Sequence, residues 1–413
     1  MQMNNGWTGG QYGVYRAVLG LYLLQHFVRL LPWGGELFSS SGVLPVGSAS
    51  PLMHLFPNIF WLSDSRIFVT ALLITGATLS GFLLIGKFDR LAAVLIWYLW
   101  ACLYGRNPMI GNPSLPFVGW LVLAHTLTTP RSVHDCSRPR EVSADAWQLS
   151  PDIYVAAWIL MTLAYSYSGY TKLLSPSWID GSALSRVLAN PLARATALRT
   201  FLLALPPWFL KTATWSALGL ELSFAPLALF RRLRPLIWVA MVGLHVGLML
   251  LVNFADLTMG MLILHLFTFD PSWIPSLQPA NQPIFFDGQC ALCHGFVRFV
   301  LKEDRSTRPF FFAPLQGDFV RGAIAEDVRG ELPDSLVVLD EKNNVFVRSA
   351  AVIYVMKRLG GIWFLAASLM SLLPRALLDF GYVAVASLRK MIFGATKEMC
   401  PLVPPQYRAR LRD

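Results

Sequence analysis

Between Gly13 and Phe269 the chain is a succession of long apolar runs, and no other feature narrows so much what it can fold into. A helix that crosses a bilayer needs about 20 mostly apolar residues, because hydrocarbon offers its backbone no hydrogen-bond partner. Such segments fall at 12–31, 67–86, 88–104, 114–129, 152–172, 208–230, 235–252 and 257–269. Pro206 and Pro207 cut the sixth run and leave 201–205 as an interfacial stub. The first run carries Arg16, His26 and Arg29 and no small-residue cleavage pattern after it, so it reads as an uncleaved insertion signal. The expectation is an all-α, multi-span helical bundle over residues 1–275.

Only 14% of the residues are charged, against about 25% in an ordinary soluble domain. The deficit is confined to the apolar part, since charge returns at ordinary density from Pro283 onward. That shift marks a domain boundary, with 276–282 as linker and 283–413 as a second domain. The net charge of +10 comes with no basic stripe interleaved with aromatics, which excludes a nucleic-acid partner and leaves the lipid bilayer.

Lys and Arg collect on the cytoplasmic side of membranes. With eight spans and both ends inside, the inner loops hold Lys87 and Arg90, then Arg131, Arg138 and Arg140, then Arg231 to Arg234. One outer loop, 173–200, runs against the rule with Arg186, Arg194 and Arg199. The expected location is the cell membrane, multi-pass, with the C-terminal domain in the cytoplasm.

After residue 282 the hydrophobic period changes. A strand at 283–286, a helix at 290–303, a strand at 309–313 and a helix at 317–327 are followed by strands 335–339 and 345–348 and a helix at 350–359. Asp340 to Asn344 has the chemistry of a hairpin turn. Strand, helix, strand, helix, hairpin, helix is the order of a small α/β thioredoxin-like domain. The apolar tail 361–393 is interrupted by Pro374, Arg375 and Asp379 and is expected to pack on that domain rather than to form a ninth span.

Five cysteines are too few for a disulfide scaffold; two stand as Cys290-Ala-Leu-Cys293, and Cys102, Cys136 and Cys400 are scattered. Cys-x-x-Cys directly after a strand and opening a helix is a redox arrangement. The helix N-terminus stabilises a thiolate, and two intervening residues bring the second sulfur within reach. Cys290 is expected to be exposed and to attack, Cys293 to be partly buried and to resolve. The competing reading is half of a zinc site. Zinc needs four ligands, no second pair of the expected spacing exists, and the adjacent His294 points elsewhere, so no metal is expected.

Asp287-Gly-Gln-Cys-Ala-Leu-Cys-His294 resembles the signature of the DCC family of thiol–disulfide oxidoreductases. Phe296 to Lys302, Phe312-Ala-Pro-Leu-Gln316, Ser349-Ala-Ala-Val352, Cys400-Pro401 and Arg408 extend the likeness. The resemblance implies a thioredoxin-like fold with protein-disulfide reductase activity on a thiol or disulfide substrate, protein or small molecule. It also implies a motif role for Asp287, which lies where it can cap the helix or accept a thiol proton.

Within the apolar part, Lys172 ends a span and is followed by a short loop closed by Trp178. Ionisable groups at membrane depth are costly and point to function, although a terminal lysine also snorkels readily. The pattern Gly169-x-x-Lys172-Leu with Trp178-x-x-Gly181 resembles the horizontally transferred transmembrane domain shared with vitamin K-dependent gamma-carboxylases. Glu221 and His245 continue the match. The resemblance implies Lys172 as a base toward a quinone cofactor. No histidine stands near Asn112-Pro113, where those enzymes carry a second one, so glutamate carboxylation is not carried over. The leading expectation is a membrane-bound thiol–disulfide oxidoreductase. The alternatives are a quinone-dependent or lipid-modifying enzyme fed by the cysteine domain, and a non-enzymatic interaction protein.

Overall fold

The computed structural model describes residues 5–128, 147–277, 282–288, 290–330, 332–333, 335–393 and 405–412. Cys136 and Cys400 lie outside these residues. The chain divides into two compact units.

The first unit contains residues 13–128 and 150–269 of the described chain and is helical. Its principal helices are α1 (Gly9–Leu30, whose first residues belong to the second unit), α2 (Arg66–Ile85), α3 (Asp89–Arg106), α4 (Leu115–Thr128), α5 (Pro151–Leu173), α6 (Pro207–Ala228), α7 (Arg234–Leu251) and α8 (Ala255–Thr268). Local chemistry sets their ends. Ser65 caps α2 by accepting from the Phe68 N–H at 3.3 Å. Gly86, at φ +74°, closes it in the left-handed conformation that a side chain resists. Pro207 stands in the first turn of α6, where its missing N–H costs nothing.

Taken singly, α2 and α7 are long and apolar enough to cross a bilayer; a bent pair near the C-terminus makes a third candidate. Four of the other six predicted spans fall short, taken singly, for physical reasons. Helices α4 and α8 have 14 residues each, a rise of about 21 Å against a hydrocarbon thickness of about 30 Å. Helices α1 and α3 carry Arg16 and Arg29, and Asp89, Arg90 and Arg106.

The second unit gathers residues 5–12, 147–149 and 270–412 of the described chain, more than the predicted 283–413. Its sheet has four strands in the order β2-β1-β3-β4: β1 (Pro283–Phe286), β2 (Phe311–Pro314), β3 (Val337–Leu339) and β4 (Val345–Val347). Strand β1 is parallel to β2 and antiparallel to β3, and β3 pairs antiparallel with β4. The helices are α9 (Ala291–Glu303), α10 (Asp318–Ala323), α11 (Glu326–Gly330), α12 (Arg348–Leu359), α13 (Gly361–Met370) and α14 (Arg375–Phe393). Alternation along β1 feeds two cores. Ile284 and Phe286 face Val297, Val300 and Val355, whereas Phe285 faces Val320, Ile324 and Val337.

The single helix expected over 317–327 is two. Ile324 adopts extended dihedrals at φ −123°, ψ 127° and is buried in the second cluster, which breaks the helix between α10 and α11. The hairpin turn is as its residues require. Asp340 accepts from the Lys342 and Asn344 N–H groups at 2.8 Å each and from the Asn344 side chain at 2.8 Å, while Asn343 takes φ +59°. The Asn344 side-chain amide, together with those N–H groups, holds the Asp340 carboxyl below its ordinary range.

Three long-range clasps complete the unit. Glu303, buried at the end of α9, accepts from the Thr8 hydroxyl, from Gly10 N at 2.9 Å and from Trp363 Nε1 at 2.7 Å. Asp304 pairs with Arg410 at 2.8 Å and accepts from Phe310 N at 2.8 Å. Arg412 N donates to Phe312 O at 2.8 Å, so the C-terminal residues run beside β2. Burial lowers the Arg410 guanidinium from its ordinary range, with Asp304 acting against it.

Candidate functional site

Strand β1 ends at Phe286, the chain turns through Asp287 and Gly288, and Cys290 takes the N-cap position of α9. Its sulfur accepts from the Cys293 backbone N–H at 3.5 Å, so the first cysteine satisfies one of the donors left over at a helix start. The turn is tied on both sides. Cys290 N donates to Asp287 O at 3.2 Å, Gly288 N reaches Gln316 Oε1 at 3.4 Å, and His294 Nε2 meets Gly288 O at 2.8 Å. His294 thus serves the loop and packs its ring on Phe286, not on a sulfur. Asp287 is buried three residues before Cys290.

The two sulfurs are not bridged. Their exposure corrects the expectation: Cys290 is 1% exposed and Cys293 8%, so the attacking sulfur is not the open one. Both belong to the apolar cluster formed by Ile284, Phe286, Val297 and Leu336. The cap turns the Cys290 sulfur toward its own helix, and the cluster around it completes the burial.

The four candidates in the first unit are brought together as two groups. Gly169 lets α5 approach α6 so closely that a Cβ there would stand 3.2 Å from the Leu222 backbone nitrogen. Across that crossing Lys172 Nζ donates to Glu221 Oε1 at 2.7 Å and Oε2 at 2.5 Å, and to Ser168 Oγ at 2.7 Å. The Trp178 ring lies over the ammonium at 5.0 Å. The partner of Glu221 is therefore Lys172.

His245 joins the second group. Its Nε2 and that of His265 both lie 2.7 Å from the Tyr165 hydroxyl. One hydroxyl proton can serve one of them only, so Tyr165 donates to one ring and accepts from the other, and the two imidazoles hold opposite tautomers. The Nδ1 atoms of both rings are buried and have no hydrogen-bond partner among the described residues. Tyr165, Ser168 and Lys172 share one face of α5 at intervals of three and four residues. That polar spacing inside an apolar run was the signal for Tyr165, which the motifs missed. His265 was legible only as a lone imidazole in a predicted span.

Residues 284–395 match the family of DCC1-like thiol-disulfide oxidoreductases. YuxK, an uncharacterized protein of Bacillus subtilis, is 32% identical over 139 residues, covering 33% of this chain and 96% of its own. A chloroplastic DCC family protein of Arabidopsis thaliana is 33% identical over 123 residues, 30% of this chain and 70% of its own. YitO, another uncharacterized Bacillus subtilis protein, is 26% identical over 287 residues. That match covers 64% of this chain and 87% of YitO, too much to be confined to residues 283–413. No solved structure matches the chain. By its C-terminal domain, this chain belongs to the DCC1-like thiol-disulfide oxidoreductase family.

Proposed function

We propose that this protein is a membrane-anchored thiol–disulfide oxidoreductase with Cys290 and Cys293 as its redox pair. The observation that carries this is the placement of Cys290 as N-cap of α9 directly after β1, where helix-end N–H groups favour a thiolate. The strand order and the hairpin support a thioredoxin-like reading of the sheet. In the forward step the Cys290 thiolate attacks a substrate disulfide, forming a mixed disulfide and releasing one thiolate. The Cys293 thiolate then attacks the Cys290 sulfur and releases the second. The substrate gains two electrons, the Cys290–Cys293 disulfide remains, and an external thiol reductant must reopen it.

What supports a bilayer as the setting is the outward face of α2 and α7. Only 28% and 17% of their apolar stretches are buried, and Ile67, Leu236 and Val239 are exposed. The basic loops favour a cytoplasmic C-terminal domain. Reduction of a fluorogenic disulfide by the purified full chain tests the redox pair: Cys290→Ser should abolish turnover, and unchanged turnover overturns the reading.

A second reading concerns the helical unit. The convergence of Lys172, Glu221, Tyr165, His245 and His265 in an apolar setting favours a polar site there. The two partnerless Nδ1 atoms fit a ligand bearing hydrogen-bonding oxygens, and a quinone is the class implied by the carboxylase resemblance. Tyr165, His245 and Lys172 would hold it, and the quinone would supply two-electron redox chemistry. The Lys172–Glu221 pair stands one proton transfer from a neutral amine beside a neutral acid, which is how Lys172 would act as base.

A further inference from the structure

Helices α13 and α14 meet at Pro374 with a bend of 112°. From 361 to 387 the sequence has only two charged residues, Arg375 and Asp379. On a helix packed against a soluble domain the apolar side faces the protein and the polar side faces water. Here the outward side is apolar as well, and polar groups of both helices are turned inward. Asp379 is turned inward and accepts from Ser349 N at 3.3 Å and Ser349 Oγ at 2.5 Å, and Tyr382 OH is turned inward and accepts from Leu336 N at 2.9 Å. Trp363 likewise turns its N–H inward to Glu303. The outward side carries Leu369, Leu373, Leu377 and Val383, with Leu372 80% and Phe380 73% exposed.

The corner is also satisfied within itself. Leu372 N and Leu373 N donate to Leu369 O and Met370 O, and Leu377 N and Leu378 N to Pro374 O. Ser368, Ser371 and Ser387 bond back to carbonyls of their own helix. Serine hydroxyls bonded back to their own helix suit hydrocarbon, where they would otherwise have no partner. Arg375, exposed at the bend, is one cation whose long stem lets the guanidinium reach from the embedded corner toward anionic headgroups. Helix α13 rises only about 15 Å, too short to span.

We propose that the α13–α14 hairpin is a monotopic bilayer-docking element, its corner from Leu369 to Phe380 embedded in one leaflet and its polar side holding the thiol domain at the membrane surface. The inference extends the membrane-anchored reading, and its test separates the two.

An environment-sensitive fluorescent amino acid is placed by codon suppression at position 372, 380, 341 or 239 of the full chain in nanodiscs of mixed neutral and anionic lipid. Positions 372 and 380 should shift to the blue and be quenched at least twofold by brominated acyl chains, while position 341 responds only to aqueous iodide. Position 239 on α7 reports the spanning reading. Iodide quenching at 372 and 380 without bromolipid quenching overturns the docking, as does shielding from both, which would place a second copy or another protein there. Bromolipid quenching at 380 but not at 239 upholds the docking and removes the spanning helix. Phe380→Glu with Leu372→Glu should return the neighbouring position 377, labelled in the same way, to iodide; continued bromolipid quenching there also overturns the proposal.

Discussion

The sulfur of Cys290 caps a helix and, in the proposed chemistry, must also reach a substrate. Those duties compete, and the competition is measurable. In the folded chain both Cys290 and Cys293 should react with iodoacetamide more than about tenfold slower than in denaturant, because burial withholds them; mass spectrometry of timed digests checks this. Cys293→Ser should accumulate mixed disulfides at Cys290, visible on non-reducing gels, since the resolving attack is removed. At Lys172 the decisive exchange is to Arg, which stays charged and cannot act as a base. Lys172→Arg should abolish any activity of the helical unit and leave disulfide reduction intact; normal function would make Lys172 an anchor. The cysteine pair was legible in the sequence because its chemistry is local, four residues and a helix start. The partners of Glu221 and His245 were not, because Lys172 and Tyr165 lie 49 and 80 residues away and only helix crossings bring them near. The exposure of Cys290 was misjudged for a related reason. Its cap is local, but its burial depends on Ile284, Val297 and Leu336, which the fold assembles.

Element by element, what the sequence announced was whatever it could settle over a few residues. Asp340 to Asn344 announced a turn, and β1, α9 and the hairpin followed from period and composition. The break between α10 and α11 did not, because Ile324 leaves the helix to fill a core built from distant strands. The clasps on α9 were also hidden. Glu303 reads as a surface residue at a helix end, yet it is buried with three donors from two other segments. Glu303→Ala should cost about 3 kcal/mol by stranding those donors. A fall in thermal midpoint, with α9 becoming protease-sensitive, is the expected result. Arg410→Ala, which leaves Asp304 charged and buried, should cost a similar amount, about 3 kcal/mol. Loss of ordered packing beside β2 should be seen as faster hydrogen exchange at Phe312.

For the molecule as a whole, a periplasmic-type reporter that is active only outside the membrane should stay silent when fused after Asp413; a strong signal would invert the orientation drawn from the basic loops. The contacts of the second unit bear on that orientation by simple counting. Asn5 Nδ2 donates to Leu149 O at 3.0 Å, Arg305 donates to Trp147 O at 2.7 Å, and Glu303 holds Gly10. Residues 5–12, 147–149 and 303–305 are therefore on one side of any bilayer the chain crosses, since no hydrogen bond of about 3 Å reaches through about 30 Å of hydrocarbon. Crossings between residues 12 and 147 must be even in number, and so must those between 149 and 303. Four and four satisfies the rule, as does two and two; three in either half does not, nor does α2 alone in the first half with α7 alone in the second. Parity thus decides between topologies that hydropathy leaves open, and it does so from three contacts made by residues outside 13–146 and 150–302.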